Sequence, residues 1–398
     1  MLNTSFSPWP SFTEQEITAV SEVLRSNKVN YWTGQEGKSF EKEFAQFCHS
    51  KYAVAVANGT LALDLALQIL DIKNGDEVIV TSRTFIASIS SIINAGATPI
   101  FADVELDSQN ISANTISAVL STKTKAIMCV HLAGWPCEMD DIMNLAEQHN
   151  LLVIEDCAQA HGTKYKGRPV GSIGHVGAWS FCQDKIMTTG GEGGMLTTND
   201  EKLWRKGWAY KDHGKSYAAV YEKKHPAGFR WLHESFGTNW RLTEMQSTIG
   251  RIQITRMPQW QKSRNENAEK IRTICQQYAW LIVPKIPEYI EHAFYKCYVH
   301  IDLSQLPKNH SRKIIIDEIV QLGVPCFSGS CSEVYKERAF KKTNLAPKEA
   351  LKNAKLLGEN SLMFLVHPTL TVDEIDKSCQ ILDKVFGHID QLIKQKNK

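Results

Sequence analysis

The stretch SFCQDKIMTTGGEGGML, residues 180–196, sets a single lysine, Lys185, between a Ser-Phe pair and a loop rich in glycine. A lysine in an apolar pocket or beside another cation has its ammonium form disfavoured, and the free amine condenses with an aldehyde to a Schiff base. A lone lysine is more often a solvated charge, and glycine-rich loops also close ordinary turns, so Lys185 needs partners elsewhere. Two other junctions offer them. In VAVANGTLALDLAL an apolar run passes through Asn58, Gly59 and Thr60 into a helical pattern. Glycine lets backbone approach a ligand, Thr60 offers a hydroxyl, and the unpaired N–H groups of the new helix suit a phosphate. The same residues also read as a plain Asn-Gly turn with Thr60 as a helix cap. In LLVIEDCAQAHG a fully apolar strand ends in Glu155 and Asp156, followed by Gln159 and His161. A carboxylate at a buried strand end is costly unless a cation or hydrogen-bond donors meet it.

A pyridinium nitrogen is a suitable partner for Asp156. An aspartate opposite it keeps the ring protonated, and the protonated ring draws electrons from a carbanion formed beside it. Lys185, Asp156 and phosphate-binding groups at Gly59, Thr60 and Ser180 together describe a site for pyridoxal 5'-phosphate.

The elements that must hold these residues follow from the hydrophobic pattern. Short β-branched runs (YAVAVAN, DEVIV, TPIFADV, KAIMCVHL, LLVIED, GAWSFC) alternate with helical patterns (TLALDLALQIL, FIASISSIINAG, EMDDIMNLAEQHN). Such runs are buried on both faces, and their alternation with helices predicts an α/β fold with a mostly parallel, doubly covered sheet. In open sheets of this kind ligands sit beyond the carboxyl ends of the strands, where all three junctions fall. Thr13 with Glu16 predicts a capped helix near the start. From about residue 255 the composition changes, with the helical QWQKSRNENAEKIRTICQQY, turns at Pro284 and Pro287, and a final amphipathic helix in TVDEIDKSCQILDKVFGHIDQLIKQKNK. The expected organisation is a large cofactor-binding domain over residues 1–255 and a smaller C-terminal α/β domain over 256–398.

A chain of 398 residues with 43% hydrophobic and 22% charged residues and a formal net charge of +2 matches a soluble globular protein with no broad pull toward nucleic acid or membrane. The start MLNTSFSPWPSFTEQEI lacks the pattern of a signal peptide, and no apolar run reaches membrane-spanning length, so a cytoplasmic location is expected. Ten scattered cysteines form no Cys-x-x-Cys, and the spacing of Cys326 and Cys331 matches no common zinc or redox pattern, so reduced thiols and no metal are expected. His131 reads as a structural histidine rather than a pocket residue. Cys182 has no histidine placed to activate it and reads as an inert thiol. NYWTGQE, around Tyr31 to Glu36, could wall a sugar-nucleotide cleft or simply pack.

The ordered set NGTLAL, SRTFIAS, VHLAGWPCEMD, VIEDCAQAHGTKYKGRPVGSIG, SFCQDKIMTTGGEGG and GTNWRLTEMQSTIG resembles the DegT/StrS family of sugar aminotransferases, in the aspartate aminotransferase superfamily, over nearly the whole chain. The resemblance implies the pyridoxal phosphate fold type I. It makes Lys185 the Schiff-base lysine and proton shuttle, and puts Asp156 on the pyridine nitrogen. It also places Gln159 by the ring hydroxyl, Phe85 on the ring face, and Ser180, Gly59 and Thr60 on the phosphate. Asn239 in GTNWRL would reach across a homodimer interface to the neighbouring subunit's phosphate, so that the active site is shared. The implied reaction runs in two stages: an amino acid, L-glutamate, leaves its amine on the cofactor as pyridoxamine 5'-phosphate, and a keto sugar of a nucleotide-diphosphate sugar then accepts it. By the same resemblance the acceptor is a 4-keto-6-deoxy sugar destined for cell-surface polysaccharide or glycoconjugate. A cyclitol aminotransferase shares every cofactor residue. A pyridoxamine phosphate-dependent sugar dehydratase replaces the lysine by histidine, and a cofactor-binding regulator would not need the intact set. The chain departs from the family in having both Gly190 and Gly191 before Glu192, and His175 where aspartate is frequent.

Overall fold

The β-branched runs do become strands, because continuous apolar sequence can be buried on both faces of a sheet at once. In a computed structural model, which describes residues 6–396, the main sheet has seven strands. They are β1 (Tyr52–Val56), β2 (Glu77–Thr81), β3 (Thr98–Ala102), β4 (Thr124–Val130), β5 (Leu152–Asp156), β6 (Val176–Ser180) and β7 (Gly194–Thr198). Their spatial order is β1-β7-β6-β5-β4-β2-β3. Strands β2 to β6 pair in parallel, whereas β7 runs antiparallel to both of its neighbours, β1 and β6. The architecture is thus the mostly parallel α/β sheet between helices that the alternation predicts.

Successive side chains of each strand feed opposite cores. Val78 and Val80 enter one, with Val54, Leu196 and the apolar face of helix Gly59–Ile69, while Ile79 enters the other with Ile127 and Val153. Helix Gly59–Ile69 starts directly after β1, and its cap is Asn58 rather than Thr60, with Asn58 Oδ1 accepting from the Leu61 amide at 2.9 Å. Near the start of the chain, helix Glu14–Arg25 carries the expected capping box of Thr13 and Glu16.

A second, antiparallel sheet follows, formed by β8 (Leu281–Ile282), β9 (Cys297–Ile301), β10 (Cys326–Phe327) and β11 (Ser361–Phe364) in the order β8-β9-β11-β10. Val299, Ile301, Leu362 and Phe364 pack there with Phe386 and Ile389 of the last helix, Val372–Lys396. Residue 255 lies inside one continuous helix, Glu244–Cys275. Early in that helix Gly250 lies against the Phe40 ring, and later Ala268, Ile271 and Cys275 enter the second core. The chain also crosses between the cores elsewhere. Phe6 belongs to the second, whereas Val334, Tyr335 and Phe340 return to the first.

At the end of β5 two adjacent acids point to opposite sides. Glu155 is fully buried and accepts from the amides of Gly171 (2.8 Å), Ile173 (2.9 Å) and Gly174 (2.6 Å) and from His131 Nε2 (3.0 Å). His131 Nδ1 accepts from the Cys137 amide at 3.0 Å, so its proton sits on Nε2 and points at Glu155. His131 is therefore structural, as its sequence context suggests. Desolvation pushes the Glu155 pKa up, but the hydrogen bonds from His131 and from the Gly171 and Gly174 amides outweigh it and leave the carboxyl below its ordinary value of 4.5. Glu155→Ala would strand the imidazole and three amides, and we expect a loss of about 3 kcal/mol or more in denaturant unfolding at neutral pH. A depressed carboxyl stabilises above its unfolded pKa and loses that effect as the pH falls through its folded one. The gap between wild type and variant should therefore narrow below pH 4.5. An equal gap at every pH would contradict an ionised Glu155.

Candidate active site

The carboxyl ends of β1, β5 and β6 open onto a cavity of about 1030 Å³ whose far wall comes from the second sheet. Gly59, Thr60, Phe85, Asp156, Gln159, Ser180 and Lys185 all line it. Seven of the eight residues expected from the sequence thus meet in one place, although they come from segments more than a hundred residues apart.

The anion seat is built from backbone. After β1 the chain turns into helix Gly59–Ile69 so close to the end of β6 that a Cβ on Gly59 would lie 2.5 Å from Ser180 Cβ. Glycine is needed there for space. Among the described residues the amides of Gly59 and Thr60 have no hydrogen-bond partner, and they stand at the positive end of the helix dipole. Ser180 Oγ accepts from the Cys182 amide at 3.3 Å, which leaves its own proton to donate. Two free amides, a hydroxyl and a helix N-terminus fit a phosphate.

Asp156 sits opposite as the last residue of β5. Its Oδ2 accepts from Ser88 Oγ at 2.8 Å and its Oδ1 from the Ala158 amide at 3.2 Å. Burial pushes its pKa up, and Ser88, Ala158 and the charge of Lys185 offset that only in part. A carboxylate held in this condition lacks a cationic donor, which a protonated ring nitrogen would supply. Gln159 Oε1 accepts from the Ala133 amide at 2.8 Å, so its NH₂ end is the one left to donate into the cavity. Phe85 keeps 70% of its surface exposed, an open ring face against which a planar ring can stack. The donor set therefore fits pyridoxal 5'-phosphate in charge, polarity and shape.

Lys185 follows β6, its side chain 17% exposed. Its backbone is fixed at both ends: the amide donates to Cys182 O at 3.1 Å, and the carbonyl accepts from the indole of Trp9 at 2.8 Å. The ammonium lies 3.9 Å from Asp184 Oδ1 and 5.3 Å from the centre of the Tyr295 ring, and the Tyr295 hydroxyl donates to Asp184 Oδ2. Beyond Lys185 the two glycines are both demanded by conformation, with φ of +87° at Gly190 and +128° at Gly191.

Several contributors escape sequence reasoning. Ser88 lies in the recognisable stretch SRTFIAS, yet only its spatial approach to Asp156 reveals its role. Tyr295, Lys296 and Tyr298, around the start of β9, line the cavity from far along the chain and carry no local signal. Asn239, by contrast, is exposed, pairs with Asp212 in an isolated bridge, and does not line the cavity of its own chain. The NYWTGQE stretch packs: Tyr31 is buried and donates to Glu41 at 2.9 Å, and the Trp32 indole donates to Asp212 at 2.7 Å. Cys182 lines the cavity with its sulfur 4.0 Å from Glu192 Oε1. Cys326 and Cys331 are free thiols. His131, Glu155 and Cys157 cluster closely enough to meet a metal ion, but the bonds described above already use the first two.

The sequence model of the DegT/DnrJ/EryC1/StrS aminotransferase family matches residues 10–383. GDP-perosamine synthase of Escherichia coli O157:H7 is 42% identical over 65% of this chain and 68% of its own length. The dTDP-3-amino-3,6-dideoxy-alpha-D-galactopyranose transaminase of Aneurinibacillus thermoaerophilus is 40% identical over 63% of this chain and 65% of its own. The crystal structure of an aminotransferase from Psychrobacter cryohalolentis superimposes with a TM-score of 0.95 at 65% identity, covering 96% of this chain and 99% of that one.

Gly59→Ala tests the anion seat, since its methyl would collide with Ser180 while helix formation is unharmed. We expect affinity for pyridoxal 5'-phosphate to fall about tenfold or more, the equivalent of one charge-assisted hydrogen bond, with the circular dichroism spectrum retained. Unchanged affinity in equilibrium dialysis would place the phosphate elsewhere.

Proposed function

The chain belongs to the DegT/DnrJ/EryC1/StrS aminotransferase family and is a transaminase, and from that premise we propose that it aminates the keto carbon of a nucleotide-diphosphate sugar of the 4-keto-6-deoxy class, with L-glutamate as donor. The observation that carries this reading is the convergence of Lys185, Asp156 and the Gly59–Thr60–Ser180 anion seat on one cavity. Both relatives described above are named for nucleotide-linked sugars, which supports a nucleotide-linked acceptor.

When bound, pyridoxal 5'-phosphate supplies an aldehyde conjugated to an electron-withdrawing ring. The chain's own residues do the rest. The amides of Gly59 and Thr60 and the Ser180 hydroxyl would hold the phosphate, Asp156 would accept from the ring N–H and so keep that nitrogen charged, and the Gln159 NH₂ would meet the ring oxygen. Phe85 would cover one ring face. Lys185 would be the residue that holds the cofactor's aldehyde end and, as a free base, the one placed to take the α-proton and return it, with Asp184 Oδ1 3.9 Å away to balance its charge when protonated.

The reading includes a homodimer with a shared site. Asn239 is exposed and does not line its own cavity, and Phe229, Trp231 and Phe236 in the preceding segment are 79%, 83% and 99% exposed. Apolar rings so exposed favour burial against a second copy, where Asn239 would complete the neighbour's phosphate seat. We place the enzyme in the cytoplasm, in the supply of amino sugars for cell-surface polysaccharide or glycoconjugate. No described helix is long and apolar enough to cross a membrane.

Lys185→Ala should abolish amino transfer and the visible band of the resting enzyme, and Lys185→Arg should not restore them. Substantial transfer by either variant would refute the role of Lys185. Assays with L-glutamate and a panel of nucleotide-linked 3-keto and 4-keto sugars should show turnover with the 4-keto-6-deoxy compounds; turnover confined to 3-keto sugars would overturn that assignment. If the site is shared, mixing and reassociating inactive Lys185→Ala with Asn239→Ala protein should regain activity through hybrids holding one intact site. No recovery from verified hybrid dimers would show that each chain completes its own site.

A further inference from the structure

The proposed cycle makes one cavity serve two unlike substrates in turn. An amino-acid donor brings a carboxylate on the carbon that reacts, whereas a keto sugar is uncharged at its reacting end. In a largely apolar cavity a carboxylate needs a cation, or its desolvation goes uncompensated. Two cationic side chains line the cavity, Lys185 and Lys296, and the nitrogen of Lys185 is committed to the reaction.

Lys296 is only partly exposed, at the edge of β9. Among the described residues its ammonium forms no hydrogen bond and no ion pair; its contact is with the Tyr295 ring, 4.8 Å from the centroid. By contrast, buried Lys211 is matched by Glu41 and partly buried Arg241 by Asp212. Lys185 and Lys296 lie against the same Tyr295 ring, which keeps their nitrogens within about 10 Å of each other. Behind the strand, buried Arg264 adds positive potential, with its Nε and Nη2 unpartnered. Burial draws the Lys296 pKa down to about 8, with Asp184 opposing and Arg264 and Lys185 reinforcing the shift. The cation is poised for an anion that the chain does not itself provide.

We infer that Lys296 is the specificity-determining seat for the α-carboxylate of the amino donor, used in the first half of the cycle and idle in the second. This rests on the transamination reading above. It is tested in the holoenzyme with Lys296→Met and Lys296→Arg. The donor half is followed as loss of the visible band with L-glutamate, and the acceptor half as its return when pyridoxamine phosphate-loaded enzyme meets a keto-sugar nucleotide. Lys296→Met should raise the half-saturating glutamate concentration about tenfold or more, as expected for a lost charge-assisted hydrogen bond. The acceptor half should stay within about twofold, and Lys296→Arg should recover part of the donor affinity. Calorimetric titration of the holoenzyme with glutarate, a dicarboxylate without an amine, should show the same loss in Lys296→Met. A donor half left unchanged, an equal fall in both halves, or a fall in the acceptor half alone overturns the inference. Failure of wild type to transaminate would sink the functional reading instead, and in that case an unchanged glutarate affinity in Lys296→Met would still overturn the role of Lys296.

Discussion

The site depends on a carboxylate kept where water cannot fully solvate it. Asp156 can occupy the end of β5 because Ser88 and the Ala158 amide meet part of its hydrogen-bonding capacity, and what they leave unmet is the demand for a cationic donor. The surrounding architecture serves that arrangement. Parallel strands β5 and β6 bring Asp156 and Ser180 out at the same edge, and β1 delivers Gly59 beside them. The reversed strand β7 begins at that edge with Gly194, which lies against the backbone of Asn58 and admits the chain where a side chain would block it.

The contrast with Glu155 shows how little separates support from reactivity. Two neighbouring acids at the end of one strand differ by the pleat alone. One collects three amides and an imidazole N–H, becomes a fully satisfied acceptor, and locks the segment 171–174 to the sheet. The other is left short of partners on the side that faces the cavity. Composition cannot separate them, and neither can hydrophobicity.

Much of this was legible in the sequence because it is local. A strand running into Asn-Gly-Thr, a strand ending in Glu-Asp, and a lysine ahead of a glycine loop each announce a junction, and the fold places all three junctions at one edge of a sheet. What depends on distant segments was not legible. Ser88 acts only through its approach to Asp156, Trp9 only by reaching the Lys185 carbonyl, and Tyr295 and Lys296 only because the second sheet folds over the first. The antiparallel course of β7 was equally hidden, since a buried run such as GMLTT has the same pattern in either direction. The change in composition near residue 255 marks no break in the backbone, because helix Glu244–Cys275 runs on unbroken, packing Met257 and Trp260 with Phe40 and Phe44 and then Ala268 and Ile271 around the second sheet.

The repeated crossings of the chain between its two cores bear on how such a protein can diversify. Phe6 is anchored among the residues around the second sheet, Val334 to Phe340 return to those around the main sheet, and a single helix packs first against Phe40 and Phe44 and then into the second sheet's core, so neither half is a separable cassette. Change in such a molecule is confined most readily to point replacement along the cavity's inner wall, where Lys296, Ser328 and Ser330 stand, with the scaffold kept whole.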